Sequence, residues 1–125
     1  MTLFDNIYLD YPLDIPGYVP AKIKNLILLD IAENGLYTHD FDCLFMTYHI
    51  DNNGKLFFIG DDYLEANVKP EQIYYHGHFE AYTFVNVSDN LSLEVRYDFK
   101  FTDGWLVAAK FIAPTEKILQ LNELL

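Results

Sequence analysis

The chain has 125 residues, with 19 acidic against 8 basic side chains, and its formal net charge is −11 at pH 7. A chain of this length buries about two-thirds of its unfolded surface, so we expect one domain over residues 1–125 with a substantial core. The charge disfavours direct binding to nucleic acid, because phosphate backbones would be repelled. It favours a partner protein with a basic surface.

The composition is that of a globular protein, with 51% hydrophobic and 22% charged residues. The longest apolar run, LILL at 26–29, is too short to cross a bilayer, so no membrane association is expected. The N-terminal sequence carries no positive segment followed by an apolar stretch and a cleavage site. The single cysteine, Cys43, has no internal partner for a disulfide and lies in a setting typical of a buried small hydrophobe. A cytoplasmic location is therefore expected.

The first ambiguous segment is VPAKIKNLILLDIAENG at 19–35. Ile23, Leu26, Ile27 and Ile31 fit one face of a helix from Pro20 to Gly35. The same isoleucines together with Leu29 fit a strand that turns at Asn34-Gly35. Because the neighbouring segments are strands, we favour the strand and keep the helix as the alternative.

The middle of the chain predicts a second hairpin. THDFDCLFMTYHI at 38–50 is apolar on both parities, as in a strand covered on both faces, and DNNG at 51–54 turns into KLFFI. This hairpin is expected to be central in the sheet. DNNG resembles the start of a calcium loop, but Lys55 and Leu56 occupy positions that need an oxygen ligand and a glycine, so a solvated turn is favoured. The polar segment 60–72 is expected to be a connection with one helical turn.

Three consecutive antiparallel strands are predicted over 78–87, 91–101 and 105–112. In 91–101 every odd position is apolar or aromatic and every even position is polar, which is the period of a half-buried strand. Asp103-Gly104 then separates this run from WLVAAKFI, where Trp105, Val107 and the following odd residues Ala109 and Phe111 are expected to share the apolar face.

The C-terminal PTEKILQLNELL predicts a short amphipathic helix, with Pro114 near its start and Ile118, Leu121 and Leu125 on one stripe. Together these elements predict an α+β protein that is mainly β. We expect an antiparallel sheet of hairpins with about six to seven strands and the short C-terminal helix.

The stretch IYYHGHFEAY at 73–82 contains the most conspicuous polar residues. His76 and His78 would point to the same side of an extended chain, but a zinc site needs three or four ligands and no others follow at a recognisable spacing. No metal and no cofactor is therefore expected. Gly77 more plausibly marks a bulge or a sharp bend, with the imidazoles hydrogen-bonded at the edge of the sheet.

No catalytic residues are assigned from the sequence. The motifs GxSxG, GxxxxGK[ST], HExxH and GxGxxG are all missing. Asp40 and Asp42 flank Phe41 and could act as an acid–base pair if one were buried, but a solvated strand edge explains them better. The sequence thus favours a non-enzymatic protein without excluding an enzyme.

Four blocks carry a resemblance to a known family: LFDNIYLDYPL, THDFDCLFMTYHIDNNGKLF, YYHGHFEAY and FTDGW. In this order they resemble the landmarks of an uncharacterised family of small proteins from tailed phages and prophages, and they cover about half of the chain. Segment 16–35 looks like an insertion relative to that family, and His39 stands where the family usually has lysine. The resemblance implies a phage or mobile-element accessory protein and carries over no activity or catalytic residue.

Two hypotheses follow for the function. In the first, a phage-encoded protein in the host cytoplasm inhibits a host protein, such as a defence nuclease of the CRISPR type or a toxin, by presenting carboxylates that imitate nucleic acid. Its densest acidic residues are Asp40, Asp42, Asp61, Asp62 and Glu65. In the second, the module holds a small ligand, a nucleotide or a metal. Its candidate residues are Tyr74, Tyr75, His76, His78 and Tyr82. Unpaired strand edges would also permit a homodimer.

Overall fold

A computed structural model describes residues 4–41, 46–61, 70–88 and 91–112, and residues 117, 118, 120 and 123. Its elements are β1 (Asp5–Leu9), α1 (Ala21–Asn34), β2 (Leu36–Thr38), β3 (Met46–Ile50), β4 (Leu56–Asp61), β5 (Glu71–Gln72), β6 (Gly77–Ser88), β7 (Leu91–Thr102) and β8 (Trp105–Ile112). The strands form one sheet in the order β5-β4-β3-β1-β2-β6-β7-β8. The mainly β class is confirmed. The sheet has eight strands rather than six to seven, and it is mixed, because β1 and β3 pair in parallel.

The three-strand prediction for the second half of the chain is confirmed. β6 pairs antiparallel with β7, and β7 pairs antiparallel with β8. The odd positions of β7 point to the core, where Leu93, Val95, Tyr97, Phe99 and Phe101 are fully buried. We call this side of the sheet the inner face and the opposite side the outer face. The unbroken alternation determined this face because neighbouring strand residues point to opposite sides.

In β8 the predicted apolar face is wrong at its first two positions. Leu106 is buried, whereas Trp105 and Val107 are 44% and 55% exposed. The register explains the difference, because Phe101 pairs with Leu106 and Lys100 pairs with Ala108, which leaves Val107 as an extra residue. This bulge reverses the parity of the strand, so only the residues after it, Ala109 onward, follow the predicted face.

Segment 19–35 is a helix, so the preferred strand interpretation is wrong and the alternative is confirmed. Ile23, Ile27 and Ile31 are buried at a spacing of four residues, while Leu29, which a strand would have buried with them, is 55% exposed. The helix lies against β1 and β6 on the inner face. The Thr83 hydroxyl of β6 donates a hydrogen bond to the Asp30 carboxylate of α1. Packing of the isoleucine stripe on the sheet thus decided between two equally periodic patterns.

The predicted strand over 38–50 is interrupted. β2 ends at Thr38 and the chain bends over residues 39–41. The Thr38 hydroxyl donates to Glu80 O at 2.7 Å and accepts from Asp40 N at 3.2 Å. A side chain that binds the backbone two residues later favours a turn over a continued strand. Asp40 therefore lies in a bend.

The hairpin of β3 and β4 is confirmed, with the turn at residues 51–54. Asp51 Oδ1 accepts hydrogen bonds from Asn53 N and Lys55 N, both at 2.9 Å, so this carboxylate serves the turn itself. The hairpin is not central, since β4 is the second strand from one end of the sheet and β3 the third.

The sheet curves until β4 meets β8 at one corner. Leu106 N donates to Gly54 O at 2.8 Å, and Leu56 N donates to Gly104 O at 3.2 Å. The buried apolar side chains of sheet and helix form one cluster. The helix α1 thus packs on the inner face, while His78, Glu80 and Phe84 on the outer face of β6 are exposed.

Several predictions fall largely on residues that the structure does not describe. Most of segment 60–72 lies outside the described residues, and its end is β5, which pairs with β4. Of the predicted C-terminal helix, Lys117, Ile118, Gln120 and Glu123 are described and are helical, and Ile118 is fully buried. Within the described part of the chain, no helix combines the length and apolar character needed to cross a membrane.

Tyr97 provides a test of the core by pH. Its ring is fully buried and its hydroxyl donates to Asp14 O at 3.1 Å. Burial, and next the charge of Asp14, raise the pKa of Tyr97 above the ordinary value of 10.0. Since the unfolded chain releases this proton first, the stabilisation is present below about pH 10 and is lost as the pH rises toward the folded-state pKa.

We therefore expect Tyr97→Phe to be less stable than the parent chain by about 1 kcal/mol at neutral pH, through the lost hydrogen bond. This difference should shrink as the pH rises above about 10. Urea unfolding of both proteins at about pH 8 and about pH 11 measures it. A difference that stays constant or grows between these two pH values would contradict the assignment.

Candidate functional site

The five residues of the predicted ligand set lie in different surroundings. Ile73 and Tyr75 pack against the core, so Tyr74 between them points to solvent and is 70% exposed. His78 and Tyr82 share the outer face of β6, because Phe79, Ala81 and Thr83 are buried on the inner face. The set is therefore divided between a loop, the margin of the core and the open side of the sheet.

Tyr75 belongs to an aromatic cluster at the margin of the core. Its ring centroid lies 5.6 Å from those of Phe41 and Phe79, with edge-to-face geometry. Its hydroxyl donates to His78 O at 2.8 Å. Burial, and next the negative charge of Asp40, raise the pKa of Tyr75 above its ordinary value. Tyr75 thus stays a neutral hydrogen-bond donor that ties the segment before β6 to the sheet.

The two imidazoles pair with different carboxylates. His78 Nδ1 lies 3.3 Å from Asp98 Oδ2 of β7. His76 Nδ1 lies 3.9 Å from Oδ1 of Asp103, which is in the turn between β7 and β8. Among the residues that the structure describes, no group of three or more His, Cys, Asp or Glu side chains could hold a metal ion. The ladder of β6 and β7 is regular from Gly77 onward, so of the two predicted features the bulge is wrong, and the bend stays a prediction. β6 begins at Gly77, whose φ is +132, and lies inside the sheet rather than at its edge.

Of the predicted acidic set, only Asp40 is described with its side chain. Asp40 Oδ2 accepts a hydrogen bond from Glu80 N at 2.8 Å, so it caps the backbone of β6 beside the end of β2. Asp61 is the last residue of β4, and its side chain is not among those that the structure describes. Asp42, Asp62 and Glu65 lie outside the described residues, as does Cys43. The Asp40–Asp42 pair therefore stays a prediction.

A group of aromatic side chains lies on the outer face of β2 and β6, with Tyr37 and Tyr82 half-buried and Phe84 exposed. Tyr37 pairs with Tyr82 across the strands, and their ring centroids are 6.0 Å apart. Phe84 continues the row at 5.7 Å from Tyr82 and is 54% exposed. The His39 ring lies 5.4 Å from that of Tyr82 and its Nε2 shares a hydrogen bond with the Tyr82 hydroxyl. Aromatic side chains that reach the solvent side by side in this way are typical of a contact surface.

Carboxylates surround this aromatic group. Glu80 of β6 is directly opposite Asp98 of β7 in the strand register. Arg96 lies with its guanidinium 5.4 Å from the Tyr82 ring centroid and pairs with Glu80 at 3.3 Å and Glu94 at 2.7 Å. The opposed carboxylates of Glu80 and Asp98 repel each other, which destabilises a sheet. Arg96 offsets this only in part, because it is shared between Glu80 and Glu94. We name as the outer patch Tyr37, His39, Asp40, Glu80, Tyr82, Phe84, Arg96 and Asp98.

Most of the outer patch was missed in the sequence. The sequence did contain a signal for it, because the residues at even positions of β6 and β7 lie on the face opposite to the buried odd positions. Glu80, Tyr82 and Phe84 occupy such positions in β6. Which of them meet depends on the register between strands, and a single strand does not specify that register.

Comparisons with protein-family models, curated proteins and solved structures found no match to this chain. The resemblance to a phage accessory family therefore stays a prediction.

Proposed function

We propose that this protein is non-enzymatic and works by binding a host protein with a basic surface through the outer patch. The observation that supports this most is the row Asp40, Glu80 and Asp98 beside the half-buried ring of Tyr82 and the exposed ring of Phe84. Asp40 contacts the backbone of Glu80, and Glu80 is the cross-strand neighbour of Asp98. Glu80 and Asp98 already pair with Arg96 and His78, but their side chains are still 52% and 31% exposed, so cations supplied by a partner can reach them.

The composition of the patch suits a protein partner. Tyrosine, tryptophan and arginine at the centre of a protein interface contribute most of its binding energy. Polar and charged groups usually form the rim around that centre. Tyr82 and Phe84 provide the aromatic centre of the patch, and the carboxylates provide its rim. The net charge of −11 extends the attraction beyond contact distance and would speed association with a basic surface.

The finer part of the proposal concerns the partner. A surface that normally holds nucleic acid is basic, so carboxylates at suitable spacing can occupy it in place of phosphates. Together with the resemblance to phage accessory proteins, this favours inhibition of a host nuclease of a defence system, such as a CRISPR effector, or of a toxin. The host cytoplasm would be the place of action.

The test compares two double variants that each remove two negative charges. Glu80→Gln with Asp98→Asn alters the outer patch, while Glu33→Gln with Glu71→Gln alters α1 and the distant strand β5. Each variant is immobilised and exposed to bacterial host lysate at about 50 mM and about 500 mM salt. We expect a partner that the parent chain and the control variant retain at low salt and that high salt releases.

For that partner, the outer-patch variant should bind about tenfold more weakly at low salt, measured by titration calorimetry with the purified partner. Its free energy of unfolding should change by less than about 1 kcal/mol, because the Glu80–Asp98 repulsion is removed together with the exposed pairs Glu80–Arg96 and Asp98–His78. Equal binding by both double variants would contradict the outer patch as the contact surface. No salt-sensitive partner of the parent chain would contradict the proposed function.

A further inference from the structure

A second exposed site lies at the corner where β4 meets β8. Three segments come together there: the turn 51–55, the segment 73–76 and the turn 102–105. Gly104 N donates to Tyr75 O at 2.8 Å, Leu106 N donates to Gly54 O at 2.8 Å, and Ile73 N donates to Leu56 O at 2.9 Å. These bonds hold the segments to one another by their backbones. The side chains that project from them are therefore presented on a rigid base.

Two aromatic residues project from this corner. Tyr74 is 70% exposed, and Trp105 is 44% exposed because the buried Leu106 turns it to the outer face. The backbones beneath them touch, since a Cβ on Gly104 would lie 3.2 Å from the Cα of Tyr74. Lys55, the bridge partner of Trp105, holds its Nζ 4.9 Å from the indole centroid. This contact places a cation over one π-face of Trp105, which shows that the ring attracts groups of positive charge, and a ligand that stacks on this face would displace the Lys55 ammonium.

A polar pair lies on the same two segments as these aromatic residues. His76 Nδ1 and Asp103 Oδ1 are 3.9 Å apart, and the two side chains are 68% and 85% exposed. This distance is longer than a hydrogen bond. A hydroxyl group could bridge it, because one hydroxyl can donate to the carboxylate and accept from the imidazole.

We propose that this corner binds a neutral oligosaccharide. Sugars present C–H faces of positive partial charge, which suit the π-faces of Trp105 and Tyr74, and hydroxyls, which suit the gap between His76 and Asp103. The net charge of −11 opposes polyanions such as nucleic acids, whereas neutral glycans are not repelled. The corner is separate from the outer patch, so this proposal does not depend on the proposed function.

The chain provides its own probe, because Trp105 is its single tryptophan. Tryptophan fluorescence is recorded while maltohexaose, cellohexaose or N-acetylchitohexaose is added up to about 10 mM. The position of the single indole N–H resonance is followed in parallel by NMR. We expect at least one of these sugars to give a saturable change in both signals, with a Kd of about 1 mM or below.

Variants then locate the site. Tyr74→Ala should weaken that sugar about tenfold, and His76→Ala about threefold, while both keep the tryptophan signal. Phe84→Ala removes a 54% exposed aromatic ring from the outer patch and should bind the sugar like the parent chain. The proposal is overturned if none of the three sugars changes the Trp105 signals. It is also overturned if the Kd of Tyr74→Ala equals that of the parent chain.

Discussion

Replacing Phe79 by alanine is expected to lower the free energy of unfolding by about 3 to 5 kcal/mol, the range for truncating a buried phenylalanine. Phe79 is 2% exposed and lies at the centre of the aromatic cluster. Its ring stacks on Phe101 at 5.5 Å and also contacts Phe41 at 4.7 Å and Tyr75 at 5.6 Å. Alanine would remove these contacts and leave a cavity. The surrounding aromatic rings are rigid and closely packed, so they cannot move in to fill it.

Phe84→Ala is the matched control, since it makes the same change in the same strand on the opposite face. Its ring is 54% exposed, so we expect a loss below about 1 kcal/mol. Urea denaturation followed by circular dichroism measures both variants. Similar losses for the two substitutions would mean that the inner and outer faces of β6 are assigned incorrectly.

Gly104→Ala is expected to destabilise the protein by about 3 kcal/mol. Gly104 has a φ of +89, and a Cβ there would lie 2.6 Å from Ile73 O. Ile73 O belongs to a backbone segment that is itself held by a hydrogen bond to Leu56 O, so it cannot move away freely. The substitution should therefore open the corner that joins β4 to β8.

Gly17→Ala is the control for this prediction, because a Cβ on Gly17 meets no atom within 4 Å. It should leave the free energy of unfolding unchanged within about 0.5 kcal/mol or raise it slightly. Thermal unfolding by calorimetry compares the two alanine variants with the parent chain. If Gly104→Ala bound the proposed oligosaccharide as tightly as the parent chain does, sugar binding would not depend on the backbone contacts of Gly104.

The candidate site was only partly predictable from the sequence. The aromatic and histidine residues at 73–82 pointed to this part of the chain, but the structure divides them, with Tyr82 in the outer patch and Tyr74 and His76 at the corner of β4 and β8. Trp105 follows them by about thirty residues, and its turn meets their segment through the hydrogen bond from Gly104 N to Tyr75 O, which depends on the curvature of the whole sheet. The cross-strand meeting of Glu80 with Asp98 likewise required the register of β6 and β7.

The sequence by itself determined the antiparallel strands β6 to β8 and the buried face of β7, because strict alternation allows only one face to be apolar. It also determined the turn at Asp51, whose carboxylate binds its own backbone. Tertiary structure alone decided that 19–35 is a helix, since both periodicities were present and only packing of Ile23, Ile27 and Ile31 against the sheet separates them. It also decided the bulge at Val107 and the parallel pairing of β1 with β3, because both depend on distant partners that local sequence does not specify.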